Sequence, residues 1–251
     1  MISLSNKVSV ITGGSRGIGA AIALLLAKAG SNIVLNYLQN KERATLVAGQ
    51  IKDLGRSVIV HQANVALQPE ASNLIERTIL EFGKIDVVVN NAGIWTYGEV
   101  GSMGDKVWDE TIEVNLKGVF NICNAVVPYL KKNSGGRIIN ISSTAGQRGE
   151  AFHSHYAASK GGILAFTKSI AAELAPYGIL VNAVAPGWVD TEMNEEVFAD
   201  RDFKNHVVEA IPLKKIATAE DVAGAVLFLA SDFARHVTGT TINVNGGSVL
   251  S

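Results

Sequence analysis

The chain has 251 residues, 47% of them hydrophobic, a formal net charge of −1 at pH 7, one cysteine and five scattered histidines. That length suits one α/β domain with a large core, and the charge balance argues against nucleic-acid or anionic-membrane partners. The lone Cys123 leaves no internal disulfide, the scattered histidines give no metal site, and the absence of a basic-then-apolar leader or of about 18 consecutive apolar residues points to a cytoplasmic protein.

Residues 7–12, Lys-Val-Ser-Val-Ile-Thr, read as a short buried strand that runs into Gly13-Gly-Ser15-Arg16-Gly17-Ile18-Gly19. An Ala/Leu-rich helix over 17–29 and a second strand over 32–37 complete a strand–turn–helix–strand unit. Glycines there permit a tight turn and let a pyrophosphate reach the amides of the helix N-terminus. Further strands are expected near 57–62, 84–90, 136–142, 178–185 and 240–244, with helices near 40–54, 69–82, 104–131, 154–176 and 218–230. This alternation predicts a single domain over 1–251, a doubly wound Rossmann parallel sheet of about seven strands with helices on both faces. The stretch 187–217 interrupts the alternation after a strand end, where ligands bind in such sheets, and is expected to be a substrate lid.

Tyr156 and Lys160 stand four apart in the helical run Tyr-Ala-Ala-Ser-Lys, so their side chains share a face. A lysine ammonium beside a phenol is expected to lower the tyrosine pKa and fit it for proton exchange near neutral pH. Ser142 and Ser143 end the strand Arg137-Ile-Ile-Asn-Ile, and Asn90-Asn91-Ala92-Gly93 follows the apolar run Val87-Val-Val.

The ordered set Thr12-Gly13-x-x-x-Gly17-Ile18-Gly19, Asn90-Asn91-Ala92-Gly93, Asn115, Ser143, Tyr156-x-x-x-Lys160 and Pro186-Gly187 resembles the short-chain dehydrogenase/reductase family over essentially the whole chain. Within it, the branch of 3-oxoacyl-[acyl-carrier-protein] reductases and small-alcohol dehydrogenases is the most similar. The resemblance implies hydride transfer between a nicotinamide cofactor and a carbonyl or secondary alcohol, without a metal. Ser143 would hold the substrate oxygen, Tyr156 would exchange its proton, and Lys160 would tune Tyr156 and bind the nicotinamide ribose. Asn115 would hold a water behind the lysine; a mid-helix asparagine bonding to nearby backbone is the other reading.

The cofactor contacts implied are Gly13, Ser15, Arg16, Gly17, Ile18, Gly19, Asn36, Tyr37, Asn64, Val65, Asn91, Ala92, Gly93, Tyr156, Lys160, Pro186, Gly187, Val189 and Thr191. Asn36-Tyr37 at the end of the second strand carries no acid to repel a 2′-phosphate, and Arg16 lies in the turn, so NADP(H) is favoured, with NAD(H) as the alternative. Lys41 and Arg43 are further basic candidates near that phosphate. Ser143, Trp95, His153 and Trp188 are the expected substrate contacts, with the segment Gln147–His155 along the pocket and His155 turned to solvent. The most specific reading is reduction of a 3-oxoacyl thioester. Ser134 and Tyr177 stand where carrier-docking arginines are expected, so a sugar, polyol or small-carbonyl dehydrogenase is the close rival. A nucleotide-binding sensor without turnover is the alternative from another class. Relatives imply a homotetramer.

Overall fold

The computed structural model describes residues 2–250, so the two end residues of the expected domain lie outside it. Seven strands are present: β1 (Val8–Ile11), β2 (Asn32–Tyr37), β3 (Val58–Gln62), β4 (Val87–Asn90), β5 (Gly136–Ile141), β6 (Ile179–Pro186) and β7 (Thr241–Val244). They form one sheet in the order β3-β2-β1-β4-β5-β6-β7, every pair parallel. Parallel neighbours need crossovers, and helices supply them: α1 (Gly17–Lys28), α2 (Lys41–Asp53), α3 (Gln68–Phe82), α4 (Asp105–Ile112), α5 (Gly118–Lys132), α6 (Ala145–Arg148), α7 (Ser154–Leu174), α8 (Glu195–Ala199), α9 (Arg201–Ala210) and α10 (Ala219–Ala230).

Burial on both faces explains the near-continuous apolar strands. Ile33, Leu35, Val87, Val89, Ile139 and Ile141 pack beneath α1, α2 and α10. Val8, Val10, Val34, Val88 and Ile138 pack beneath α3, α5 and α7 on the other face. The order of strand addition reverses between β1 and β4, whose parallel register sets Val10 beside Val88 and Ile11 beside Val89. The C-terminal ends of these two strands therefore flank the crevice where a doubly wound sheet takes a ligand.

A buried polar chain ties the site-bearing helix to this edge. Asn90 Nδ2 donates to Asn140 Oδ1 at 2.8 Å, and Asn140 Nδ2 donates to Thr167 Oγ1 on α7 at 2.8 Å. Gly146 lets α6 approach α7, since a Cβ there would stand 2.5 Å from the Lys160 carbonyl carbon.

The helix expected over 104–131 is not continuous. A π-helical segment, Glu113–Lys117, separates α4 from α5. The widened turn carries Asn115, which is completely buried. Such segments often mark functional positions.

Candidate active site

The turn after β1 is a cradle built by glycine. Gly13 and Gly17 have φ of +62° and +51°, a region that side chains disfavour. Gly13 N donates to Asn36 Oδ1 at 3.2 Å, while Asn91 Nδ2 donates to the carbonyls of Thr12 and Gly13 at 3.0 and 3.1 Å. Thr12 Oγ1 accepts from the amides of Asn91 and Ala92 at 2.9 and 3.0 Å. A Cβ on Gly19 would lie 2.3 Å from Gly13 O and 2.5 Å from Asn91 Nδ2, so only glycine lets α1 start this close to the turn. Arg16, exposed, is the residue before α1.

From this cradle a cleft of about 570 Å³ runs past Asn64 and Val65, along Asn91–Gly93, to Ser143, Tyr156 and Lys160. Its length, its glycine floor and its open helix N-terminus fit a dinucleotide. All the expected cofactor residues line it except Tyr37. That ring is 5% exposed and packs in the core with Ile33 and Leu35, because side chains two apart on a strand share a face. Leu38, Gln39, Asn40 and Glu42 line the cleft there instead. Asn36 lines it too, but its amide is engaged: Nδ2 donates to Ala63 O at 3.0 Å. Above the cradle, Arg43 of α2 pairs with Glu192, which follows Thr191 in the loop after β6. Nothing local in the sequence links residues 149 positions apart.

At the other end Ser143 and Tyr156 converge. The serine hydroxyl accepts from Ala145 N at 3.1 Å and lies near enough to the phenol to favour its ionised form. Ser142 is turned away, its hydroxyl donating to Lys160 O at 2.8 Å. Lys160, 4% exposed, places its Nζ 5.7 Å from the centre of the Tyr156 ring and donates to Ile141 O at 2.9 Å. The expectation that Lys160 lowers the Tyr156 pKa does not hold in this state. Burial pushes the phenol up to about 12; the Ser143 hydroxyl opposes this and the Glu150 carboxylate adds to it. Burial also pushes Lys160 down to about 8. Taking both groups out of water outweighs any attraction between them.

Asn115 is absent from the cleft wall and acts on a loop. Its Oδ1 accepts from Ile94 N at 2.8 Å, and its Nδ2 donates to Ile94 O at 2.9 Å and Ser159 Oγ at 3.1 Å. It thus clamps the irregular segment following β4 onto α7. A Cβ on Gly93 would meet Asn115 Oδ1 at 3.2 Å and Lys160 Nζ at 3.4 Å, so this glycine keeps the lysine accessible from the cleft.

The substrate end is aromatic. Trp95 and Trp188 meet edge to face at 5.9 Å, and both line the cleft. Trp188 also packs on Phe198 and Phe203 from α8 and α9, part of a small apolar cluster with Val207 and Ile211. His153 does not reach the cavity wall; it stacks on Trp95 with ring centres 4.3 Å apart. His155 is buried, not turned to solvent, with Nε2 2.9 Å from Thr96 Oγ1. The residue missed within Gln147–His155 is Glu150, a carboxylate on the cleft wall beside Tyr156. No periodicity or motif distinguishes it from an ordinary loop acid.

A glycine-floored cleft that ends at the neighbouring Ser143 and Tyr156 side chains fits an oxidoreductase that acts on CH–OH or C=O groups. A family model described as enoyl-(acyl carrier protein) reductase matches residues 13–249. The chain is 43% identical over 245 residues to the 3-oxoacyl-[acyl-carrier-protein] reductase FabG of Staphylococcus epidermidis, covering 98% of this chain and 100% of that one. It is 43% identical over 251 residues to the 3-oxoacyl-[acyl-carrier-protein] reductase of a Synechocystis species, each chain covered in full. Nodulation protein G of Azospirillum brasilense is 38% identical over 245 residues, covering 97% of this chain and 98% of that one. The crystal structure of a chain assigned as a short-chain alcohol dehydrogenase, from Sinorhizobium meliloti 1021, superposes with a TM-score of 0.94 at 31% identity, covering 98% of this chain and 97% of that one. The chain belongs to the short-chain dehydrogenase/reductase family. Among the described residues no helix is long and apolar enough to cross a membrane, and no cluster of metal-ligating side chains occurs.

Proposed function

We propose that the protein reduces the 3-oxo group of an acyl thioester with NADPH. The convergence of the Ser143 and Tyr156 hydroxyls at the end of the glycine-floored cleft carries this reading. A nicotinamide dinucleotide bound along the cleft would supply the hydride. Ser143 donates a hydrogen bond to the carbonyl oxygen and holds it, and Tyr156 gives that oxygen its proton as the alcohol forms. A phenol with its pKa pushed up to about 12 is protonated at neutral pH, the form reduction needs. The Lys160 ammonium stabilises the phenolate left behind. Asn115 acts by holding the loop at Ile94, and the segment 187–217 closes over the substrate through Trp188 and the cluster on α8 and α9.

NADP(H) is supported by exposed Arg16 in the turn, by Asn36 where an acid would exclude a 2′-phosphate, and by Arg43 reaching over the cleft to Glu192. Glu42 lines the same end, which makes NAD(H) the alternative. The relatives' printed names support the thioester. A small-molecule carbonyl or polyol dehydrogenase is the second reading. It is favoured by Glu150 in the pocket and by the carrier side, where Tyr177 lies under Lys131 at 4.1 Å and half-buried Arg137 faces Asp232 at 3.7 Å.

The test is oxidation of NADPH and NADH by the purified protein with an acetoacetyl thioester. NADPH is expected to give kcat/KM at least roughly tenfold above NADH, the scale of a single well-placed polar contact. No thioester turnover, with reduction of a small ketone, moves the protein to the second reading. We also propose a cytoplasmic homotetramer, supported by the exposed Trp108 and Phe120 on α4 and α5. Light scattering that returned the 26.5 kDa of one chain would contradict it.

A further inference from the structure

We propose that Glu150 is a specificity-determining residue that accepts a hydrogen bond from a hydroxyl group on the carbon next to the reacting carbonyl. The inference rests on the reading of Ser143 and Tyr156 as the carbonyl site, and not on the thioester. Glu150 lies on the cleft wall with both, near enough for its charge to act on the tyrosine. Its side chain is 21% exposed, so the carboxylate is largely out of bulk water. Burying a carboxylate costs several kcal/mol unless hydrogen bonds and charges offset it, and this one is held. Trp95 and His153 both favour its charged form; His153 Nδ1 is 3.9 Å away, while that same nitrogen lies 3.0 Å from Ala151 O. Arg148, at the exposed rim, also contributes favourable charge. Burial nonetheless outweighs these partners and raises the Glu150 pKa from its ordinary value.

An ionised carboxylate has about four lone-pair sites, and these contacts occupy only part of them. Glu150 lines the same cleft as Ser143 and Tyr156, so a substrate bound there can meet the rest. Glu150 sits in the short loop between α6 and α7, and the Trp95–His153 stack lies beside it. A methyl group at that point would deepen the desolvation, whereas a hydroxyl would relieve it. Sites built to bond a hydroxyl reject the analogue lacking it far more strongly than apolar pockets reject an added group.

The test compares 1-hydroxybutan-2-one with pentan-3-one, which differ by a hydroxyl in place of a methyl. Wild-type enzyme with its preferred cofactor is expected to favour the hydroxyketone in kcat/KM by on the order of tenfold or more. Glu150→Leu should bring the ratio close to one, and Glu150→Gln, whose amide oxygen still accepts, should restore part of it. The ratio is the readout, so a general loss of rate does not mimic the effect. A ratio near one in the wild type, or one unchanged by Glu150→Leu, overturns the proposal. If neither ketone is reduced, the hydride-transfer reading fails for small ketones. Quenching of the Trp95 and Trp188 fluorescence then reads binding directly. Tighter binding of the hydroxyketone by wild type, lost in Glu150→Leu, supports the role, and equal affinities overturn it.

Discussion

Tyr156→Phe is expected to lower kcat for carbonyl reduction by on the order of 10²–10⁴. The substitution removes one oxygen and keeps the ring, so the packing of α7 and the cleft wall persists. Dinucleotide binding, measured by fluorescence titration, should therefore stay within about threefold, well below the tenfold that 1.4 kcal/mol represents. The residual rate reflects Ser143, which still polarises the carbonyl, and the positioning of reactants in the cleft. The pH profile separates this from a folding defect. In the wild type the proton donor remains protonated throughout the neutral range, because its pKa is pushed up to about 12. Reduction should then be flat at neutral pH and fall above about 8, where Lys160 loses its charge. Oxidation of an alcohol needs the phenolate and should rise with pH across the same range. A phenyl ring at this position has nothing to titrate, so the variant's residual oxidation should lose that rise. Unchanged turnover in the variant would remove Tyr156 from the mechanism.

Elements that repeat a period were legible from the chain. Strands buried on both faces, helices between them and a glycine turn at the first junction leave few topologies open, and the seven-stranded sheet is the one found. The errors arose where a local cue met a tertiary demand. Tyr37 follows Ile33 and Leu35 at spacings of two, and its fate in the core could have been read from that alternation alone. The π segment at Glu113–Lys117 leaves no such trace, since the apolar pattern runs through it and the reason for the widened turn is a loop 21 residues earlier in the chain. His155 carries polar atoms at the start of a helix, which suggests solvent; Thr96, far off in sequence, supplies its buried partner. The effect of Lys160 on Tyr156 failed for a different reason. Spacing placed the two residues on one face, but it carries no information on how deeply the sheet edge buries them, and burial dominates both pKa values.

That burial has a consequence for stability. Lys160→Met should abolish most turnover, by about 10² or more, the scale of a lost general acid–base or electrostatic contribution. The same change should leave the ligand-free protein as stable as the wild type or more so at pH 7. The sign follows from linkage. The folded-state pKa of Lys160 is pushed down from 10.5 to about 8, so the unfolded chain binds more protons between these values. Wild-type stability should consequently rise as pH goes from about 8 to about 10.5, and below pH 8 the buried ammonium should weigh against folding by a few kcal/mol. Methionine fills a similar volume without a charge. Its cost is the buried hydrogen bond to the carbonyl of Ile141, a residue of the cleft wall. Thermal melts of both proteins at pH 7, 9 and 10.5 read the difference directly: the wild type should gain on the variant as pH rises. A variant that melts well below the wild type at pH 7, with parallel pH dependence, would show that Lys160 is held as a stabilising contact. The expected pattern, in which removing the charge costs activity but not stability, is that of a group kept in an unfavourable place for chemistry.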